Sequence, residues 1–180
     1  MEELQTLLQH EFGFENPKIE KLNGYFNINY LVSDPHTSFI LKTYPFDQEL
    51  FDTLEAETQV LIHLQTLSKD KYPRPISFAN GEFLQVFNLN GKNTIGRLLS
   101  FLNGSFLGDT PASPSLFASM GRFMGELDRN LEGFSNYVLK ARTLDWDIQH
   151  LNLNKKLITD IPLPSDQNLV RYFFFNLKNT

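Results

Sequence analysis

Apolar residues first recur at three- and four-residue steps. Leu4, Leu7, Leu8 and Phe12 precede Gly13, which predicts a short amphipathic helix over residues 2–12. The period then drops to two. Residues 17–22 read as a strand, Asn23-Gly24 as a turn, and residues 27–33 as a second strand with Ile28, Tyr30 and Val32 alternating. Residues 37–44 form a third, so the pattern predicts an antiparallel meander. Helical spacing returns over residues 48–67, behind Asp47, with Leu50, Leu54, Glu57, Leu61 and Leu64 on one stripe. Residues 72–78 are extended again. Asn80-Gly81 predicts a turn that pairs residues 82–89 back on them, and after Asn90-Gly91 residues 94–101 close the sheet.

Beyond Asn103-Gly104 only helical patterns remain. Pro111 to Pro114 introduce a helix over residues 115–131, with Leu116, Met120, Phe123 and Leu127 on one face and Gly133 after it. Residues 144–148 predict a short helix. Pro162 and Pro164 interrupt the chain before a strongly apolar helix over residues 168–177 that contains Phe173, Phe174 and Phe175. A sheet with one long helix, then helices alone, predicts an α+β lobe at 1–101, a linker at 102–108 and an α lobe from 109 to 180.

Two polar residues stand where the pattern asks for apolar ones. Lys42 ends the run Phe39-Ile40-Leu41-Lys42, and Glu57 lies on the inward stripe of the long helix fifteen residues later. Burying either alone is costly, so each needs a partner or a route to solvent. Lys42 either snorkels at a strand edge or is held for an anion, and Glu57 is either paired with Lys42 or solvated at the edge of its stripe. A strand lysine followed by a helix glutamate is the arrangement with which kinase-like enzymes hold nucleotide phosphates.

Composition narrows the field. The chain has 180 residues, 41% hydrophobic and 21% charged, with 17 phenylalanines, which suits a globular protein with a substantial aromatic core. A net charge of −5 without a basic stripe argues against nucleic-acid binding. There are no cysteines, which excludes disulfides and thiolate metal sites. The start Met1-Glu2-Glu3 has no basic segment before an apolar run, and no apolar stretch approaches the roughly 18 residues of a membrane span. The expectation is a cytoplasmic protein without membrane contact.

The segments in their order resemble the aminoglycoside phosphotransferase and choline kinase group, nearest its hydroxylysine kinase and homoserine-kinase-type branch. The likeness runs from about Lys18 to Lys178. It rests on Asn29-Tyr30-Leu31-Val32, Phe39-Ile40-Leu41-Lys42, Glu57 with Leu64 seven on, Pro73-Arg74-Pro75, and Arg97-Leu98-Leu99-Ser100-Phe101-Leu102-Asn103-Gly104. Met120-Gly121-Arg122-Phe123-Met124-Gly125-Glu126-Leu127-Asp128 and Asp145-Trp146-Asp147 continue it. The resemblance implies a protein-kinase-like α+β fold: an antiparallel-sheet N-terminal lobe with one long helix, then the first helices of an incomplete helical lobe. It implies that Lys42 contacts the nucleotide phosphates and Glu57 orients Lys42. The turn from Gly24 to Asn27 would fold over the phosphates, though it holds one glycine where such loops hold several. The backbone of Ser100, Phe101 and Leu102 would be the hinge that hydrogen-bonds the purine. The implied cofactor is ATP or GTP with Mg2+, and the implied acceptor is an amino alcohol such as hydroxylysine.

The second half of that machinery is not in the sequence. The family supplies its catalytic aspartate from an HxDxxxxN loop, and none of His10, His36, His63 and His150 is followed two residues on by Asp. Asp145 and Asp147 belong, by the likeness, to a helix upstream of that loop and are not assigned a metal. The expectation is therefore a chain truncated before the catalytic loop and catalytically incomplete, with no catalytic or metal-binding residue of its own. The competing expectation is a non-catalytic module that binds nucleotide, or a partner through exposed helical apolar surface, self-association included. A third is a generic α+β domain in which Lys42 snorkels and Glu57 is solvated.

Overall fold

The computed structural model describes all residues except Tyr25, Phe26, His36, Lys69, Asp145, Trp146 and residues 178–180, and except the side chains of Ile148, Gln149 and Leu177. The middle of the Gly24–Asn27 turn and the Asp145-Trp146 pair therefore lie outside the described residues. By its internal contacts the chain divides into two compact units, Met1–Leu139 and Lys140–Thr180.

The first unit is built on a six-stranded antiparallel sheet. Strands β1 (Lys18–Leu22), β2 (Ile28–Ser33) and β3 (Ser38–Pro45) form the expected meander. Strand β6 (Lys92–Ser100) pairs along the whole of β3. On its other side β6 carries two short strands, β4 (Pro75–Ile76) and β5 (Gln85–Leu89). This corrects one expectation. Residues 82–89 do not pair back on residues 72–78. The contact between those segments is a local turn, in which Phe78 donates its amide to the Glu82 carbonyl at 2.7 Å, and β5 instead forms a hairpin with β6. The hairpin turn is Asn90-Gly91, both residues at positive φ (52° and 77°), the backbone that a tight two-residue connection requires. A β6 residue, Gly96, has the Phe87 ring lying where a β-carbon would be, so strand and ring pack only because that position is bare.

Strand alternation gives the sheet two faces, each covered by one helix. Helix α1 (Glu2–Phe12) ends at Gly13 in the left-handed conformation, φ 71°. Its Leu4 and Leu8 pack with Tyr30, Val32, Leu41 and Leu98 in the core on one face. Helix α2 (Gln48–Leu67) is capped by Asp47, whose carboxylate accepts the Leu50 amide at 2.8 Å. Its Leu54, with Leu50 and Phe51 beside it, packs on Tyr44 and Ile95 of the opposite face. The lone polar residues of the sequence pattern thus fall on the α2 face.

Helix α3 (Pro114–Leu131) begins one residue earlier than the periodicity suggests, since proline is well placed in a first turn, with the Ser113 hydroxyl accepting the Leu116 amide. It joins the first unit through side chains. His63 bonds the Asn130 carbonyl at 2.9 Å, Lys71 pairs with Glu126, and the Tyr72 and Phe123 rings meet at 5.9 Å. Helix α4 (Tyr137–Ala141) spans the division between the units. The second unit holds a kinked 3-10 segment, Ile148–Asp160, and helix α5 (Pro164–Leu177), which starts at Pro164 where the sequence reading has the chain still interrupted. Among the described residues of this unit Ile158 is the buried side chain, and it lines a cavity with Phe174 and Phe175.

Candidate functional site

The register of the sheet orders the α2 face into rows running across the strands. Glu20, Leu31, Ile40, Leu99 and Pro75 make one row. Leu22, Asn29, Lys42 and Arg97 make the next. Tyr44, Ile95 and Val86 make the third, and this is the row that α2 covers. Rows two residues apart along a strand are separated by roughly 7 Å. The apolar row lies next to the end of β6, where the chain leaves through Ser100, Phe101 and Leu102. The polar row lies one step further in.

The polar row is crowded with charge. Arg97 is 8% exposed, and its Nη2 donates to Glu57 Oε2 at 3.0 Å and to the Tyr44 hydroxyl at 3.0 Å. Its guanidinium also lies 5.6 Å from the Tyr44 ring centre. Glu57 reaches this point because it sits one turn beyond Leu54 on α2, and its side chain stays 35% exposed. Lys42 is half-buried directly opposite Arg97. Burial holds the Lys42 ammonium below its ordinary pKa, the Arg97 charge pushes it further down, and the Glu57 carboxylate pulls it back up. Burial raises the Tyr44 phenol, with Arg97 acting against the rise.

The charges of Lys42 and Glu57 act on one another, and Glu57 is bonded to Arg97 at 3.0 Å. Sequence reasoning missed Arg97 as a site residue. Its signal was a cation inside the apolar stretch Ile95-Gly96-Arg97-Leu98-Leu99, and only the register shows that it faces Lys42.

The turn before β2 is tied to the same row. Asn29 donates from its side-chain amide to the Asn23 carbonyl at 3.2 Å and accepts from the Asn27 amide. A β-carbon on Gly24 would strike the Asn27 carbonyl oxygen, so the turn closes only with glycine there. Gly24 and Asn27 thus flank the row at its β2 end.

At the other end, the three hinge residues are not equivalent. The Ser100 amide donates to the Arg74 carbonyl at 2.8 Å, and the Phe101 amide to the Ser38 carbonyl at 3.1 Å. The Ser100 hydroxyl accepts the Arg74 amide at 2.8 Å. Among the described residues the Leu102 amide has no partner. An open cavity of about 1060 Å3 adjoins the hinge, lined by Ile62, Thr66, Lys71, Tyr72, Arg74 and Phe101 among others. It does not include Lys42 or Arg97, so the rows of the sheet mark the cation site and the cavity does not.

Among the described residues no three carboxylates or imidazoles converge.

A six-stranded antiparallel sheet with a helix on each face, and Lys42, Arg97 and Glu57 brought together on the α2 side, has the architecture of the N-terminal lobe of a protein-kinase-like fold. Solved structures of small-molecule kinases share it. A microcompartment-associated aminopropanol kinase superposes with a TM-score of 0.62 at 20% identity, over 83% of this chain and 46% of its own. An amicoumacin kinase in complex with AMP-PNP, Ca2+ and Ami superposes with a TM-score of 0.65 at 18% identity, over 95% of this chain and 50% of its own. A spectinomycin phosphotransferase with ADP and spectinomycin gives 0.58 at 12% identity, over 90% and 47%. The chain spans about half the length of the structures it matches. No protein-family model and no curated protein matches the sequence. No helix among the described residues is long and apolar enough to cross a membrane.

Proposed function

We propose that this chain is the nucleotide-binding part of a small-molecule kinase that transfers the γ-phosphate of ATP or GTP, as its Mg2+ complex, to a hydroxyl of an amino alcohol or amino acid of the hydroxylysine kind. The observation that carries the reading is the pair of adjacent rows on the α2 face. Leu31 and Ile40 are half-buried beside buried Leu99, next to the free Leu102 amide, and offer an apolar floor with one hydrogen-bond donor at its edge. One row further in lie Lys42 and Arg97. A nucleotide has this order of chemistry: a flat base with polar edges, then an anionic chain. The base would lie on the Leu31–Ile40 floor with the phosphates over Lys42.

The lobe boundaries of this reading are 1–101 for the nucleotide lobe, 102–108 for the hinge and 109–180 for the first helices of the second lobe. In this reading Glu57 steadies the cation cluster, and Gly24 and Asn27 bound the phosphate end. Transfer needs a base and metal ligands. No histidine followed two positions on by aspartate occurs in these 180 residues, so the transfer step belongs to groups outside them. The aminopropanol, amicoumacin and spectinomycin named for the three kinases support an amino-alcohol acceptor class.

The same missing motif favours a second reading, in which the chain binds nucleotide without transferring phosphate. One experiment addresses both. The thermal midpoint of the 180-residue chain is measured with MgATP, MgGTP and adenosine, for the natural sequence and for Lys42→Met. A nucleotide-dependent rise that Lys42→Met abolishes supports the shared binding step, and its absence in the natural chain removes both readings. Labelled phosphate appearing on an amino-alcohol panel would then separate transfer from binding alone.

A further inference from the structure

We infer that Arg97 is a positioning residue of the phosphate site: it holds Glu57 in place and thereby leaves Lys42 to meet a polyphosphate. The inference rests on the nucleotide reading above and goes beyond it, since that reading gives Arg97 no role of its own.

Two cations directly opposed on neighbouring antiparallel strands repel and destabilise a sheet. Here Arg97 is buried and Lys42 half-buried, so solvent screens the repulsion less than it would at the surface. One carboxylate, Glu57, stands against two cations, Lys42 and Arg97, so the cluster carries an excess positive charge. A merely structural pairing would need only one of the two cations.

The geometry also divides the work. Arg97 is the more buried of the pair, and one nitrogen, Nη2, serves both Glu57 and Tyr44. Its Nε and Nη1 are buried and find no partner among the described residues, so the guanidinium is only partly satisfied by the protein. Lys42 keeps partial exposure and a flexible stem. A planar guanidinium fixed at Glu57 and Tyr44 is suited to orienting, and a mobile ammonium to following an anion. Asn29, on the other flank of Lys42, is committed to the turn through Asn23 and Asn27. That leaves the ammonium as the mobile charge of the row. The depressed affinity of Lys42 for its proton agrees with this arrangement, since an arriving phosphate would offset the Arg97 charge.

The test is a double-mutant cycle on binding, with the 180-residue chain and its Arg97→Met, Arg97→Lys, Lys42→Met and Arg97→Met/Lys42→Met variants. Dissociation constants are measured for MgATP, tripolyphosphate and adenosine. Removing a positioning group behind a ligand is expected to weaken MgATP and tripolyphosphate by roughly tenfold or more while leaving adenosine unchanged. The double variant should then be no weaker than Lys42→Met alone, because Arg97 acts through Lys42. Arg97→Lys, which keeps a cation but loses the planar fork, should fall between. If Arg97→Met does not fold, Arg97→Lys, Lys42→Met and the double variant Arg97→Lys/Lys42→Met carry the same cycle. Independent, multiplying effects of the two positions would overturn the inference, as would equal losses for adenosine and tripolyphosphate. If the natural chain binds MgATP and the Arg97 variants bind it equally well, the inference alone is lost. If the natural chain binds none of the three ligands, the nucleotide reading fails and the inference with it.

Discussion

Lys42 and Arg97 face each other across β3 and β6, and a single carboxylate, Glu57, is bonded to the more buried of the two. Two cations and one carboxylate are thus gathered on the α2 face. This makes the site sensitive to any change in the balance of three groups.

Replacing Glu57 by Gln keeps the volume of the side chain and removes the negative charge. Arg97 and Lys42 are then left opposed without a counter-charge. Losing one partner of a fully buried pair costs roughly 3–5 kcal/mol, and solvent contact at Glu57 reduces this to about 2 kcal/mol. Urea unfolding of the two chains measures it. A loss below a few tenths would mean that the Glu57–Arg97 bond contributes nothing net.

The two displaced titrations give opposite pH slopes. The folded chain releases the Lys42 proton at lower pH than the unfolded chain does. The unfolded state therefore binds more protons between the folded value and 10.5, and stability from this site rises with pH across that window. Tyr44 behaves in reverse. The folded chain keeps the phenol proton longer, so its contribution falls as pH rises from 10.0 toward the folded value. Urea midpoints taken from about pH 8 to about pH 10.5 should show a shallower rise in Lys42→Met and a shallower fall in Tyr44→Phe. Slopes unchanged by both substitutions would show that neither group is perturbed.

At the hinge, Leu102→Pro removes the one amide of the three that the sheet leaves unused. Adenosine binding should weaken by up to about tenfold, the worth of one hydrogen bond, while tripolyphosphate binding stays the same. The same result from Ser100 or Phe101 backbone substitution would be uninformative, because those amides hold β6 to residues 74 and 38.

Gly24→Ala places a β-carbon against the Asn27 carbonyl oxygen, a backbone atom that cannot rotate away. A stability loss of roughly 1–3 kcal/mol is expected from the forced shift. Gly104→Ala, where a β-carbon meets open space, should change stability by less than about 0.5 kcal/mol. Calorimetry on the pair distinguishes a steric requirement from a general preference for glycine in loops.

Most of the elements were legible in the sequence, for reasons particular residues make plain. Lys42 and Glu57 stood out because each interrupts a hydrophobic period. The meander was legible because Asn23-Gly24 and the 33–37 turn leave no room for other connections. Arg97 was not legible as a partner, since pairing β6 with β3 is a long-range choice that local periodicity does not encode. The partner of residues 82–89 was misjudged for the same reason. A turn signal at Asn80-Gly81 says that the chain reverses, yet not that β6 offers a longer and more apolar edge than residues 72–78. Which of the amides at 100–102 is spent depends on Arg74 and Ser38, both distant in sequence.

The pairing of β3 with β6 also sets when the site comes into being. Residues 18–45 can pair with near neighbours as soon as they collapse, whereas β6 must find β3 with α2, β4 and β5 already strung between them. Closing that long loop is the entropically late step in folding. Lys42 and Arg97 come face to face only when it closes. In a refolding experiment, the capacity to hold tripolyphosphate should appear with the slowest phase and not with early secondary structure, so that ligand binding reports completion of the sheet.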